Sequence, residues 1–292
     1  MFPVFLTVLP IAIAALLVFS PVHRAHAAGS YGNCTGFIDS LPATIGTQGT
    51  WCLRKDLSTG MSSGNAITVN ANNVTLDCNG FKIGGLAAGV GTNANGIRAD
   101  NRFNLTVRRC NVRGFRAGIH TSGGGGHLIE HNRLDGNTLV GLAIQSSASR
   151  ISSNHVIDTG GSTATTGFAE GVFATSGVDI VDNTVSGVLP TPNGSGIGWA
   201  YGIYANSNDG GTITGNRVRG LVPAGAGAAR GIYDLQAGRA IVRGNDVQGN
   251  GGSGSVGVHC SNNKGTARDN LIAGFETGIQ NCLASGNTVN GN

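Results

Sequence analysis

The fold of this chain is decided by a stretch of nineteen residues that occurs twice. "GIYANSNDGGTITGNRVRG" at residues 202–220 is followed after ten residues by "GIYDLQAGRAIVRGNDVQG" at residues 231–249. Both copies begin with Gly-Ile-Tyr, and both contain Gly-Asn followed by one variable residue and a valine. The shared residues predict a structural repeat, and the residues that differ are expected on its surface.

The repeat extends over most of the chain. A glycine followed by an aliphatic residue recurs at intervals of 21 to 31 residues, at Gly96, Gly118, Gly141, Gly171, Gly202, Gly231, Gly257 and Gly278. An asparagine stands 12 to 15 residues after most of these glycines, with an aliphatic residue three before it and another two after it. These asparagines are Asn79 as the first member, then Asn111, Asn132, Asn154, Asn183, Asn216, Asn245 and Asn270, with Asn287 in the shorter last unit.

Each unit therefore contains three short apolar segments with a two-residue alternation, which predicts three short strands and no helix. Such strands cannot bury a face alone, but they do so when the chain winds as a coil and each strand stacks on its equivalent in the next coil. We predict an all-β fold, a single-stranded right-handed parallel β-helix of about nine coils. The glycine is expected at a turn, the aliphatic residues inside, and the asparagine at a bend, where its amide can bond to neighbouring coils.

This "GI…N-x-V" register resembles the right-handed parallel β-helix proteins of the pectate-lyase-like superfamily, specifically their repeat-containing secreted bacterial members. The resemblance covers about residues 64–290. It implies that the asparagines form an inner ladder at the bend between the second and third strands. It also implies a lyase, a hydrolase or an epimerase that acts on acidic polysaccharides, although other members have no known activity. The repeat specifies the architecture and leaves the activity open.

The chain divides into three segments. Residues 1–27 are apolar through Phe19 and end in a small-residue site at Ala27, which is typical of a cleaved secretory signal peptide. The alternative is an uncleaved anchor, since about 18 apolar residues can span a bilayer. Residues 28–63 are predicted to form an N-terminal cap over the open edge of the coil, and residues 64–292 the β-helix. A secreted or periplasmic location is expected, with no membrane span after cleavage.

The chain has six cysteines, and in an exported protein they are expected to pair. Sequence alone permits fifteen pairings. Neighbouring coils lie about 4.8 Å apart, which falls within the Cα separation of about 4.4 to 6.8 Å that a disulfide accepts. We therefore expect three local pairs, namely Cys34 with Cys52, Cys78 with Cys110, and Cys260 with Cys282. The sequence contains no Cys-x-x-Cys spacing, so a zinc site is not indicated.

Composition restricts the partners. Only 12% of residues are charged, the net charge is +4, and the basic residues are dispersed, so a nucleic-acid partner is not indicated. A calcium-dependent lyase needs a cluster of carboxylate ligands, and the outward positions offer only Glu170, so no metal or cofactor is predicted and calcium is not supported. No cap is evident at the C-terminal end, where an oligomer could form.

One surface stands out when the repeats are aligned. The residue after each inward aliphatic residue points outward, and the loops that lead into three neighbouring coils are the longest. These coils present Phe173, Tyr204 and Tyr233 beside Glu170, Tyr201 and Arg230, with Trp199 in a nearby loop. Aromatic rings stack on sugars, and arginine binds carboxylates in bidentate fashion, so an acidic polysaccharide or cell-surface glycan is the predicted partner. The alternative is a structural or adhesive surface β-helix, in which like residues only stabilise neighbouring coils.

A lyase or an epimerase would need a base for the proton next to a carboxylate and a cation that stabilises the enolate. The candidate catalytic residues are Tyr204, Tyr233, Arg230 and His120, and the candidate substrate-binding residues are Phe173, Glu170, Tyr201 and Trp199. A hydrolase would need two carboxylates about 5 to 9.5 Å apart. Glu170 and Asp234 lie two coils apart in the register, but strand alternation points Asp234 inward, so a hydrolase is the less favoured reaction.

Overall fold

The computed structural model describes residues 31–206, 210–235, 240–260 and 265–291. The predicted signal peptide lies outside these residues. The described part of the chain forms short strands and two single-turn 3₁₀ helices, Tyr31–Asn33 and Leu86–Ala88. It contains no helix that is long and apolar enough to cross a membrane.

The strands form three parallel sheets, defined here by their place in the repeat. Sheet 1 holds the Gly-aliphatic segments, in strands Ala43–Ile45, Asn65–Val69, Asn95–Phe103, Ala117–Gly125, Val140–Ser147, Phe168–Thr175, Ile197–Asn206, Ala229–Asp234, Val256–Cys260 and Thr277–Gln280. Sheet 2 holds the segments before the asparagine, in strands Gly36–Ile38, Gly49–Leu53, Val74–Asp77, Thr106–Arg108, Leu128–Glu130, Arg150–Ser152, Asp179–Val181, Thr212–Thr214, Ile241–Arg243, Thr266–Arg268 and Leu283–Ser285. Sheet 3 holds the segments after the asparagine, in strands Leu57–Ser58, Lys82–Gly84, Asn111–Arg113, Arg133–Asp135, His155–Gly160, Thr184–Leu189, Arg217–Leu221, Asp246–Gln248, Leu271–Ala273 and Thr288–Asn290.

From Gly49–Leu53 onward the described chain passes through sheet 2, sheet 3 and sheet 1 in the same order nine times. Each strand pairs in parallel with the equivalent strand of the next pass. The predicted all-β parallel β-helix is confirmed. Strands Gly36–Ile38 and Ala43–Ile45 pair in parallel with strands of sheets 2 and 1, so residues 36–45 continue these sheets. The role of residues 28–63 as a cap stays a prediction.

The interior is a set of aliphatic columns, one residue per coil. In sheet 1 the residue after each of the first seven repeat glycines is fully buried, and these residues are Ile97, Ile119, Leu142, Val172, Ile203, Ile232 and Val258. Ile279, after the last repeat glycine, is partly buried. Burial of one such side chain contributes roughly 1.5 to 3 kcal/mol, so the columns supply most of the driving force that stacks the coils.

The repeat glycine has a role different from the turn that the sequence suggested. Gly202 lies inside a strand of sheet 1 and faces the interior. A Cβ atom at this position would overlap the Cγ1 methyl group of Val218 in sheet 3 and lie 2.6 Å from the carbonyl oxygen of Gly231 in the next coil. Val218 is the valine of the same repeat unit. The glycine is therefore needed because sheets 1 and 3 approach closely, and not because the backbone turns there.

The asparagines form a ladder at the bend between sheets 2 and 3. The Oδ1 atom of Asn216 accepts hydrogen bonds from the N–H and the Nδ2 of Asn183, at 2.9 and 3.0 Å. Its Nδ2 donates to the carbonyl oxygen of Ile180 at 2.8 Å and to Oδ1 of Asn245 at 3.0 Å. The same side-chain bonds between consecutive members connect Asn132, Asn154, Asn183, Asn216, Asn245, Asn270 and Asn287.

Asn111 was predicted as a ladder member, and this prediction is wrong. Asn111 pairs with Arg133, which lies one residue beyond the ladder. The ladder position of this coil is Cys110, whose N–H donates to Oδ1 of Asn132 at 3.0 Å. Cys110 is bonded to Cys78, so the ladder ends at a covalent bond and not at another amide.

Asn79 is also not a ladder member. The strand of this coil begins at Lys82, which pairs with Asn111, so the ladder position belongs to Phe81. Asn79 adopts a left-handed conformation with φ of 49°, and its Nδ2 donates to the carbonyl oxygen of Leu53 at 3.2 Å. Its role is that of a turn residue, which asparagine fills readily.

The three predicted disulfides are confirmed. Their Cα atoms are 5.9, 4.7 and 5.0 Å apart in Cys34–Cys52, Cys78–Cys110 and Cys260–Cys282. The spacing of parallel strands brings each pair together, as expected from residues that lie on neighbouring passes of the chain.

Candidate functional site

The outward residues of sheet 1 stand in two columns. In the first, Phe173 pairs with Tyr204 and Tyr204 with Tyr233. In the second, three residues earlier in each strand, Glu170 pairs with Tyr201 and Tyr201 with Arg230. The parallel register thus brings these side chains of three neighbouring coils onto one face.

Five rings form what we call the aromatic cluster: Phe173, Trp199, Tyr201, Tyr204 and Tyr233. The ring of Tyr201 lies 5.2 Å from that of Tyr204 and 5.6 Å from that of Tyr233. Tyr204 is 5.4 Å from both Tyr233 and Phe173, and Trp199 is stacked 6.4 Å from Tyr201. All five side chains are half-buried, so the cluster presents a continuous aromatic surface across three coils.

Trp199 lies in a strand, and not in a loop as the sequence suggested. It belongs to strand Ile197–Asn206 and pairs with Phe168 of the preceding coil. The start of this strand also pairs antiparallel with the short strand Ala224–Gly225, which comes from the long loop before Arg230. This loop therefore covers one side of the aromatic cluster.

The Trp199 pocket, of 540 Å³, lies between this loop and residues 251–255 of the next one. The Arg230 guanidinium lies over the ring of Trp199, 4.9 Å from its centroid. The same guanidinium donates to the carbonyl oxygen of Ala229 at 3.3 Å and to that of Gly254. Burial lowers the pKa of Arg230. The candidate catalytic cation therefore has contacts within the protein that hold it in place.

A second hollow, the Glu170 pocket of 280 Å³, lies on the other side of the cluster. It is lined by Arg116, Ala117, His120, Leu139, Val140, Ala143, Gln145, Phe168, Glu170, Phe173, Tyr204 and Asn206. The Glu170 side chain is 6% exposed, and burial raises its pKa from an ordinary value of 4.5 to about 8, although the positive charge of Arg116 opposes the rise. Glu170 is therefore a neutral carboxylic acid at pH 7, able to donate a hydrogen bond.

The pocket exists because one outward residue is small. Ala143 stands in the first column between His120 and Phe173. Its methyl group leaves a hollow between the two larger side chains. The structure thus brings His120 together with Phe173, Tyr204 and Glu170 at one pocket, although His120 lies two coils away from Phe173.

His120 is held from two sides. The guanidinium of Arg98 donates to Nδ1, which leaves Nε2 to donate to Oε1 of Gln145 at 3.1 Å. Burial and then the charge of Arg98 lower the pKa of His120, so the ring is neutral at pH 7. Both ring nitrogens are engaged, and the lone pair that a general base needs is the one that accepts from Arg98.

Two phenols of the cluster, those of Tyr201 and Tyr204, are protonated at neutral pH. Burial, followed by the neighbouring phenols of Tyr233 and Tyr204, raises the pKa of Tyr201 to about 12. Burial and the carboxyl group of Glu170 raise the pKa of Tyr204. These shifts suit hydrogen-bond donors better than bases.

The other acids lie elsewhere. Asp234 is fully buried inside the coil, as strand alternation predicted. Asp179 accepts from the N–H of Thr212 at 3.0 Å and from its hydroxyl at 2.6 Å, which is a bond between coils. The described residues contain no group of three or more His, Cys, Asp or Glu side chains that could hold a metal ion.

Four polar or aromatic lining residues were missed from the sequence, namely Arg116, Gln145, Phe168 and Asn206. Arg116 comes directly before Ala117, which is the residue of the second column in that coil. Extending the sequence alignment of the coils by one residue would have included it. The other three stand in strands of sheet 1 outside the two columns.

Comparison with known proteins supports the fold. No family model matches the chain, and no curated protein matches it. Among solved structures, the Dettilon tailspike protein (gp208) is similar, with a TM-score of 0.57 and 15% sequence identity over 87% of this chain. The chain spans 60% of the length of that tailspike chain. The likeness shows a shared parallel β-helix.

Proposed function

We propose that this is an exported β-helix protein that binds an acidic polysaccharide on the face formed by sheet 1. The observation that carries the proposal is the aromatic cluster, in which five half-buried rings cover three neighbouring coils. Ring faces stack on the apolar faces of sugars, and the phenols of Tyr201 and Tyr204 stay protonated and can donate to sugar oxygens.

An extended and acidic ligand fits the surroundings of the cluster. A pocket lies on each side of it, and each pocket is lined by an arginine, Arg116 in one and Arg230 in the other. Arginine is the side chain best suited to carboxylates. A polymer that covers both pockets would cross the rings between them, which favours a polysaccharide over a single small molecule.

Export is supported by the three disulfides, because such bonds persist in oxidising compartments. The apolar segment 1–27 is the proposed signal peptide, and a secreted or periplasmic location follows. The "GI…N-x-V" register is the ground on which we place the chain in the pectate-lyase-like superfamily, and the likeness to a tailspike protein supports the parallel β-helix fold alone.

A second candidate function is modification of the same polymer as a lyase or an epimerase. His120, Glu170 and Tyr204 line one pocket, which is the observation that favours it. Binding alone is better supported, because the phenols of Tyr201 and Tyr204 have raised pKa values and His120 already accepts from Arg98. The structural or adhesive alternative requires no ligand on this face.

The binding proposal is tested with mature protein and with alginate, pectate and glycosaminoglycans. We expect the double variant Tyr204→Ala, Tyr233→Ala to bind about tenfold more weakly than the wild type, since two ring contacts are lost. Phe103→Ala is the matched control, because Phe103 is an exposed ring at the end of an earlier strand of sheet 1. Unchanged binding by the double variant would exclude the aromatic cluster as the binding surface.

The lyase candidate is tested in the same mixtures from the ultraviolet absorbance of the unsaturated product. A rising trace that Tyr204→Phe abolishes would establish the lyase. If the absorbance stays constant with every polymer although the protein binds it, the lyase activity is excluded and the binding function remains.

A further inference from the structure

The two arginines that flank the aromatic cluster differ in what they contact. Arg230 is engaged with the Trp199 ring and with the carbonyl oxygens of Ala229 and Gly254. In the described part of the chain, the side chain of Arg116 forms no ion pair with an acid, whereas several other arginines do. It is half-buried and lines the Glu170 pocket. The pocket therefore holds a cation whose charge is available to a ligand.

Glu170 does not cancel that charge. Its side chain is buried beside Arg116, yet the two form no ion pair. A buried neutral carboxyl group is a hydrogen-bond donor and an acceptor. An arginine next to such a donor favours an incoming anion, and a carboxylate in particular, because a carboxylate can accept from both.

The walls of the pocket suit one sugar ring. Phe173 and Tyr204 supply aromatic surface, and Gln145 and Asn206 supply amides. The volume of 280 Å³ lies just below the range of drug-sized ligand pockets, about 300 to 1,000 Å³. A single monosaccharide residue fits this size, while the rest of a polymer would continue over the open aromatic cluster.

We propose that the Glu170 pocket is the subsite for one uronate residue of the polysaccharide, with its carboxylate bound by Arg116 and by the carboxyl group of Glu170, and its ring against Phe173 and Tyr204. This subsite rests on the proposed function and assigns the recognition of the acidic group to Arg116 and not to Arg230.

The subsite is sensitive to pH because Glu170 must be protonated to accept an anion beside it. The titratable and charged groups around it are Arg116, His120, Tyr201 and Tyr204. At pH 7 Glu170 is neutral, since burial raises its pKa to about 8. Above that pH it ionises, repels the ligand carboxylate and competes with it for Arg116. Affinity is therefore highest at neutral pH and falls as the solution becomes alkaline.

The experiment measures binding by titration calorimetry with oligomers of polygalacturonate, alginate and hyaluronan, and continues with the uronate that binds the wild type most tightly. We expect Arg116→Gln to weaken binding roughly 10- to 100-fold, as the loss of a charge-assisted hydrogen bond does. The carboxyl-reduced, neutral oligomer should bind the wild type and Arg116→Gln equally. Arg230→Gln should weaken binding less than Arg116→Gln does, because the Arg230 guanidinium is already engaged by the Trp199 ring and by two carbonyl oxygens. Arg150→Gln, an exposed arginine of sheet 2, is the control for the lost charge.

Glu170→Gln supplies the second measurement, because glutamine keeps a donor at every pH. The wild type should lose affinity between pH 7 and pH 9, about tenfold per unit above the pKa of Glu170, and Glu170→Gln should not. Binding by Arg116→Gln that equals that of Arg150→Gln, or a larger loss in Arg230→Gln, overturns the subsite. If the subsite is overturned but the double variant Tyr204→Ala, Tyr233→Ala still loses binding, the proposed function stands without the uronate subsite. A wild type that binds none of the three oligomers contradicts both.

Discussion

The inner bend between sheets 2 and 3 and the outer face of sheet 1 are built from the same repeat but follow different rules. At the bend, one asparagine per coil makes the same bonds from Asn132 to Asn287. On the outer face the first column changes from coil to coil, through Arg98, His120, Ala143, Phe173, Tyr204, Tyr233, His259 and Gln280. The inner residue is fixed because backbone groups of two coils depend on it. A run of similar residues on the outside has no such cause, which directs attention to the aromatic cluster.

The largest effect is expected at the bend. Asn216→Ala removes an acceptor for two bonds from Asn183 and a donor to Ile180 and Asn245. Each buried group left without a partner costs about 1 to 3 kcal/mol, so we expect the free energy of unfolding to fall by about 4 kcal/mol. Urea denaturation with the disulfides intact measures it.

Asn111→Ala is the matched control for this variant, since Asn111 lies beside the ladder and outside it. Within the described ranges, its side chain bonds only to the carbonyl oxygen of Gly80 at the surface. A loss of less than about 1 kcal/mol is expected. Equal losses of stability in Asn216→Ala and Asn111→Ala would show that the ladder bonds contribute no more than a surface hydrogen bond.

The second effect concerns the contact between sheets 1 and 3. Gly202→Ala places a methyl group against Val218 and the carbonyl oxygen of Gly231, and backbone of the next coil cannot move aside cheaply. We expect a loss of about 3 kcal/mol in the same denaturation assay. Gly194→Ala is the control, because a Cβ atom there meets nothing within 4 Å. A Gly202→Ala protein as stable as Gly194→Ala would refute the packing role of the repeat glycine.

The third effect links the outer face to pH. Glu170 has a pKa of about 8 in the folded protein, against an ordinary value of 4.5, so the folded state holds its proton over a range in which the unfolded state has lost it. Stability from this group is therefore complete below about pH 4.5 and is lost as the pH rises towards 8. We expect the wild type to lose about 2 kcal/mol between about pH 6.5 and pH 8 relative to Glu170→Gln. Parallel curves for the two proteins would mean that Glu170 ionises normally.

The smallest effect is expected in the aromatic cluster itself. Tyr233→Ala removes ring contacts with Tyr201, Tyr204 and His259 on a half-exposed surface. Such contacts contribute about 1 kcal/mol to stability. A loss as large as that of Asn216→Ala would indicate that the rings serve the stacking of coils, and would weaken their assignment to a ligand.

Much of the fold was predictable, because two-residue alternation and a fixed spacing of glycine and asparagine describe a stacked coil directly. The two ladder errors have a physical cause. In "CNVRG" the valine Val112 stands two residues after Cys110, and in "NGFKI" Ile83 stands two residues after Phe81. The inward aliphatic residue sets the register of each coil. The position two residues before it holds an asparagine only in coils where a polar group fits at the bend. The aliphatic residue was therefore the safer guide to the ladder position.

The candidate site was predictable in its columns and not in its pockets. Strand alternation determines which side chains point outward, so Phe173, Tyr204 and Tyr233 could be aligned from the sequence. The Glu170 pocket depends on the small size of Ala143, and the burial of Glu170 depends on how neighbouring side chains pack. The different contacts of Arg116 and Arg230 depend on the path of a long loop, which no periodic pattern describes.

The positions of the disulfides have a mechanical consequence for the aromatic cluster. Cys78–Cys110 lies before it along the coil and Cys260–Cys282 after it. A stack of coils unravels most readily from its flanks, one coil at a time. A covalent bond on each flank holds the coils that it joins, so fraying from either end is hindered before it reaches the coils that carry the rings. For the proposed polysaccharide ligand, the disulfides would thus help to keep the spacing between the rings constant, and with it the match to the repeat of the sugar chain.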